Sequence, residues 1–128
     1  MVVPIVVGTH EEAQGSQLAD GLAQVVRLLE EPVLLIASST LSHYSRADRV
    51  AIQDGRLIDA ICAVDGTRLL REAAAHGVAM CGDGPVRVVL DAARQLGAQQ
   101  GTCVAYATSA EAGGDPNSAI GYAGVVIR

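Results

Sequence analysis

The chain has 128 residues, half of them apolar, with no Phe or Trp, three Tyr and a formal net charge of −5. That is enough for one domain with a real core, which excludes disorder, and the Ala, Val, Leu and Ile mass suits helices covering both faces of a sheet. The charge is spread without a basic run, so no nucleic-acid binding is expected, and with no long apolar run or leader pattern neither a membrane span nor a signal peptide is expected, which points to a cytoplasmic setting.

In chain order, residues 2–8 form a continuous apolar run with Pro4 near its start and predict a strand. Ser16 is the expected cap of a helix over residues 17–29, where Leu18, Leu22, Val25, Val26 and Leu29 recur at helical spacing and Pro32 lies just beyond. Residues 33–38 predict a second strand, buried on both faces. Residues 46–63 predict a helix with Val50, Leu57, Ile58 and Ile61 on one side and Gly55 as a weak point. Asp65 is placed to cap a helix over residues 67–76, closed by Gly77. Pro85 fits the first turn of a fourth helix, with Val86, Val89, Leu90, Ala93 and Leu96 inward and Gly97 as its stop. Residues 102–107 and 119–127 predict the last strands, separated by a polar loop. The order predicts one α/β domain over residues 1–128, a mixed sheet with helices on both faces.

Functional groups in such folds gather at the carboxyl ends of strands, and the segment Ser38-Ser39-Thr40-Leu41-Ser42-His43-Tyr44 holds that position. His43 offers an imidazole able to bind a metal or transfer a proton near neutral pH, against the plainer reading of a turn histidine satisfied by backbone groups. Cys81, in Met80-Cys81-Gly82-Asp83-Gly84-Pro85, stands just before a helix whose free N–H groups and dipole favour a thiolate, against the ordinary fate of a free cysteine as a small buried hydrophobe. Cys62 and Cys103 fit that second reading better, and the odd count of three widely spaced cysteines reads as reduced thiols. His10 and His76 receive no role. The Gly82 to Pro85 turn lacks the glycine order of a nucleotide loop, and Ser42 beside His43 lacks a nucleophile elbow.

These two segments, with Tyr106-Ala107-Thr108-Ser109 and Ser118-Ala119-Ile120-Gly121-Tyr122-Ala123 following in order, resemble the Memo family, also called AmmeMemoRadiSam system protein B. The resemblance covers nearly the whole chain and corresponds to the C-terminal half of that family. It implies an α/β fold similar to class III extradiol dioxygenases and a metal pocket of histidines and one cysteine. Carried over by residue, Cys81 and His43 are the metal ligands, His43 also the catalytic group, and Thr40, Tyr44 and Asp83 line the pocket. Thr40 stands where the family has an aspartate. The implied cofactor is a non-haem Fe, Cu or Zn, or none in the isolated chain, because two further histidines belong to the family's other half. A homodimer or a separate polypeptide carrying that half is the expected partner. The alternatives are a non-catalytic oligomeric module that has lost the metal chemistry, and a subunit of a true extradiol-type dioxygenase.

Overall fold

The computed structural model describes residues 1–8, 11–78 and 80–128, so His10 and Ala79 lie outside the described residues. Its first helix, α1 (Glu12–Leu28), begins ahead of Ser16, the expected cap. Ser16 sits inside the helix, where its hydroxyl donates to the Glu12 carbonyl at 3.0 Å and accepts from Arg87 at 3.1 Å. A serine that back-bonds one turn earlier has no need to end the helix. Gly15, Ala19 and Ala23 recur at one-turn spacing and are buried. This small-residue stripe lets α1 approach α4 (Asp83–Gln95), whose Val88 and Ala92 pack with Ala19.

Helix α2 (Ala47–Cys62) buries Val50, Asp54, Leu57, Ala60 and Ile61, an amphipathic stripe at helical period that contains one carboxylate. It stops at Val64, which takes a left-handed φ of 53°, a conformation that costs a β-branched residue roughly 1–2 kcal/mol. Burial of Val64 in the core offsets that cost. Asp65 then caps α3 (Gly66–Ala75), as expected, accepting the Arg68 N–H at 2.8 Å. Gly77 and Gly97 close α3 and α4 with positive φ.

Strands β1 (Gly101–Thr108) and β2 (Gly121–Ile127) pair antiparallel, with Gly101 opposite Ile127, Thr108 opposite Gly121 and an irregularity at Val104. Helix α2 packs on the pair, and Tyr106, Ala123, Val125 and Ile127 join the core around Leu57, Leu69 and Leu90. Val104, Tyr122 and Val126, which alternate with these residues, are exposed. The α/β class is as expected. The ladder among the described residues is this antiparallel pair, where a mixed sheet was expected. Residues 2–8 and 33–38, expected as buried strands, form no ladder among the described residues: Val6 is 95% and Ile36 77% exposed. An unbroken apolar run reports a preference for burial on both faces, and that preference is met only where neighbouring strands and covering layers exist. No helix among the described residues is long and apolar enough to cross a membrane.

Candidate functional site

Residues 40–45 carry the chain from the extended segment to the end of the sheet. Leu41 donates its N–H to the Gly121 carbonyl at 2.9 Å, Gly121 donates to Ser42 at 3.0 Å, and Ala119 donates to Ser45 at 2.9 Å. On the other side Thr40 pairs with Cys81: the Thr40 N–H donates to the Cys81 carbonyl at 3.2 Å, and the Ser39 hydroxyl donates to the same oxygen at 2.5 Å. The two motifs singled out in the sequence therefore meet through main-chain atoms. Leu41 and Met80, one residue to the side of each, are both in the core and anchor the junction.

His43 is half-buried and its Nε2 meets the Thr40 hydroxyl. The Tyr44 ring stands edge-on to the imidazole, with centroids 5.5 Å apart and planes at 62°. Tyr44 is exposed and has φ of 55°, an unusual backbone state for a bulky residue. Cys81 is exposed and free. Gly82 follows at φ 86° as the residue before α4, and a Cβ there would lie 2.8 Å from the Ser38 carbonyl oxygen, so the turn that presents Cys81 requires glycine on two counts. Asp83 accepts its neighbour Gly84's N–H at 2.7 Å and lines a cavity of about 350 Å³ with Val7, Gly15, Ala73 and Arg87.

A hydroxyl at position 40 matters for the tautomer of His43. If Nε2 carries the proton and donates to Thr40 Oγ1, the Nδ1 lone pair is free to ligate. If Thr40 donates to Nε2, the proton sits on Nδ1 and that nitrogen cannot ligate. A carboxylate accepts only and would enforce the first arrangement, whereas a hydroxyl permits both. Among the described residues, no group of three or more His, Cys, Asp or Glu is placed to hold a metal ion. A stable Zn or Fe site needs three or four protein ligands. The chain alone therefore does not fit a complete metal centre; His43 and Cys81 are two donors at most.

A buried polar cluster that sequence reasoning missed is bonded to Ser42, the residue before His43. Asp54 of α2 is completely buried. Its Oδ1 accepts the Ser42 N–H at 2.9 Å and its Oδ2 accepts the Tyr106 O–H at 2.8 Å. Burial first, then the hydrogen bond to Asp54 and the charges of Asp54 and Glu111, push the Tyr106 phenol well above its ordinary range. A Cβ at Gly121 would overlap Asp54 Oδ2, so this glycine makes room for the carboxylate. Ser42 Oγ is buried without a hydrogen-bond partner among the described residues. The available signal was an acid on an otherwise apolar stripe, one turn from Val50 and three residues before Leu57.

A family model described as Memo-like protein matches residues 1–126. Among curated relatives, a MEMO1 family protein of Methanococcoides burtonii is 34% identical over 127 residues, 99% of this chain and 48% of its own length. A MEMO1 family protein of Methanobrevibacter smithii is 31% identical over 99% of this chain and 45% of its own. One from Methanopyrus kandleri is 29% identical over 98% of this chain and 44% of its own. The chain thus spans about half the length of the curated relatives it matches.

Proposed function

Since the chain belongs to the Memo-like family, we propose that it supplies half of a metal-binding pocket, with Cys81 and His43 as its donors. A second polypeptide or another copy of the chain completes it. The observation that carries this reading is the backbone pairing of Thr40 with Cys81, which brings the histidine loop and the cysteine turn to one junction. A bound Fe, Cu or Zn would supply Lewis-acid or redox chemistry there. This chain's own contribution is to present the Cys81 thiol at the start of α4, to orient the His43 ring between Thr40 and Tyr44, and to border the opening with Tyr44. A cytoplasmic setting, which keeps Cys62, Cys81 and Cys103 as thiols, suits this role. The test is metal analysis of the purified chain and of the Cys81→Ser and His43→Ala variants after exposure to Fe²⁺, Cu²⁺ or Zn²⁺. Loss of bound metal in both variants is expected, and metal content that ignores both substitutions refutes the assignment.

A second reading, a non-catalytic oligomeric module on the same scaffold, is favoured by Thr40 and by the two-donor set. Assembly with no uptake of any of the three metals would select it. Steady oxygen consumption with a catechol would select a third reading, a dioxygenase subunit of the extradiol type.

A further inference from the structure

A cleft of about 710 Å³ runs between residues 33–37, α4 and the β2 edge that faces away from β1. Its walls include Leu35, Ile36, Val89, Ala93, Val125 and Ile127, with Arg128 as the one charged side chain on it among the described residues. At Gly121 this edge of β2 bonds to Leu41 and Ser42, and farther along no further strand pairs with it among the described residues. The cleft is therefore an apolar slot beside an open strand edge, a shape that takes a β-strand.

The same chain carries an apolar segment of matching character that joins no ladder among the described residues. Residues 2–7 have no charged side chain, and Val2, Val3, Ile5 and Val6 are exposed. At about 3.3 Å per residue these six residues extend roughly 20 Å, close to the span of the seven-residue β2. They do not occupy the cleft of their own chain. Val7 lies with Gly15, Ala73, Arg87 and Val88 in the smaller cavity, whereas Val86, Val89, Leu90 and Ala93 line the cleft, so α4 stands between the segment and the slot. The accessible surface, 7986 Å², is larger than the roughly 6,400 Å² expected of a 13.1 kDa monomer, a surplus of about 1,600 Å² per chain. Two chains hiding that surplus would bury about 3,200 Å², within the range of obligate homodimers.

We infer that the chain forms a two-fold dimer in which residues 2–7 of each copy enter the cleft of the other and pair with the free edge of β2. This rests on the homo-oligomeric form of the reading above and names its contact. Ser39, Leu41 and Met80 also line the cleft, so the incoming strand borders the junction of Thr40 and Cys81. Exchange through one self-complementary surface closes on itself and leaves no open edge to propagate.

Sedimentation equilibrium of the full chain in the presence of a chelator tests this. The expected mass is twice 13.1 kDa. Val6→Lys and Val126→Lys are each expected to weaken self-association by roughly 100-fold or more. Ile52→Lys, at an exposed position on α2, is expected to leave it unchanged. Circular dichroism of each variant verifies its fold, and the two lysine variants place the charge on opposite partners of the same contact. A wild-type chain that stays monomeric overturns the inference, whether its slot is filled from within or by a foreign strand; so does a Val6→Lys chain that remains dimeric. Because metal is absent from this measurement, its failure leaves the metal assignment standing, and a dimer that takes up no metal overturns the pocket alone.

Discussion

Removing the phenol of Tyr106 isolates the strength of the buried cluster around Asp54. In Tyr106→Phe the Oδ2 of Asp54 loses its hydrogen-bond donor in a completely buried position. A hydrogen bond to a charged group is worth about 1.5–3 kcal/mol, so a loss of about 2 kcal/mol is expected, which lowers Tm by roughly 8 °C for a domain of this size. Asp54→Ala strips the acceptor from both the Ser42 N–H and the Tyr106 O–H, each costing about 1–3 kcal/mol if left unsatisfied, for a loss of about 4 kcal/mol. The double variant removes the orphaned phenol as well as the carboxylate. It is expected to lose about 3 kcal/mol rather than the roughly 6 kcal/mol of simple addition. Urea unfolding followed by circular dichroism on all four proteins measures the cycle. Additive losses, or a Tyr106→Phe variant within about 0.5 kcal/mol of the parent, would refute the argument that Asp54 and Tyr106 act as one unit.

The raised phenol also sets an alkaline limit. The fold favours neutral Tyr106, so its contribution is fully present below about pH 10 and falls as pH climbs above that toward the native value; urea midpoints across this range should decline in the parent and decline less in Tyr106→Phe. Gly121→Ala forces a methyl into Asp54 Oδ2 and is expected to cost about 3 kcal/mol, seen as a lowered urea midpoint; paired with Asp54→Ala, its cost should shrink. Tyr44→Gly relieves a left-handed backbone at an exposed position and is expected to stabilise by roughly 1 kcal/mol in thermal unfolding, the sign of a residue kept there at some structural expense. Thr40→Asp should fix the proton of His43 on Nε2, visible in ring-nitrogen NMR shifts, and tighten metal binding by about 10-fold or more in a titration.

Features governed by local chemistry were legible in the sequence. Asp65 announces its helix because the carboxylate that caps it lies three residues before the N–H it receives, and Gly77 and Gly97 mark stops by their own backbone freedom. Ser16 misled because the same hydroxyl serves equally well inside a helix. The runs at residues 2–8 and 33–38 carry the composition of buried strands, but a ladder depends on partners that composition cannot name. The motif order drew attention to His43 and Cys81, while the contacts that join their segments both end on the Cys81 carbonyl, one from the Thr40 N–H and one from the Ser39 hydroxyl, and a main-chain acceptor is invisible to any side-chain pattern. Asp54 was hidden for the opposite reason. Its identity argues for the surface, and only its three-dimensional neighbours, Ser42, Tyr106 and Gly121, explain its burial.

The main-chain link between Thr40 and Cys81 has an evolutionary corollary. Since the peptide groups set the spacing of the two segments, a mutation that exchanges one donor side chain for another leaves the frame in place. If the proposed pocket forms, oxygen, nitrogen and sulfur donors could be exchanged at positions 40 and 81 on the same frame, and its hard or soft character would change without a change of architecture. A library confined to positions 40, 43 and 81 would sample ligand sets on a frame that holds still.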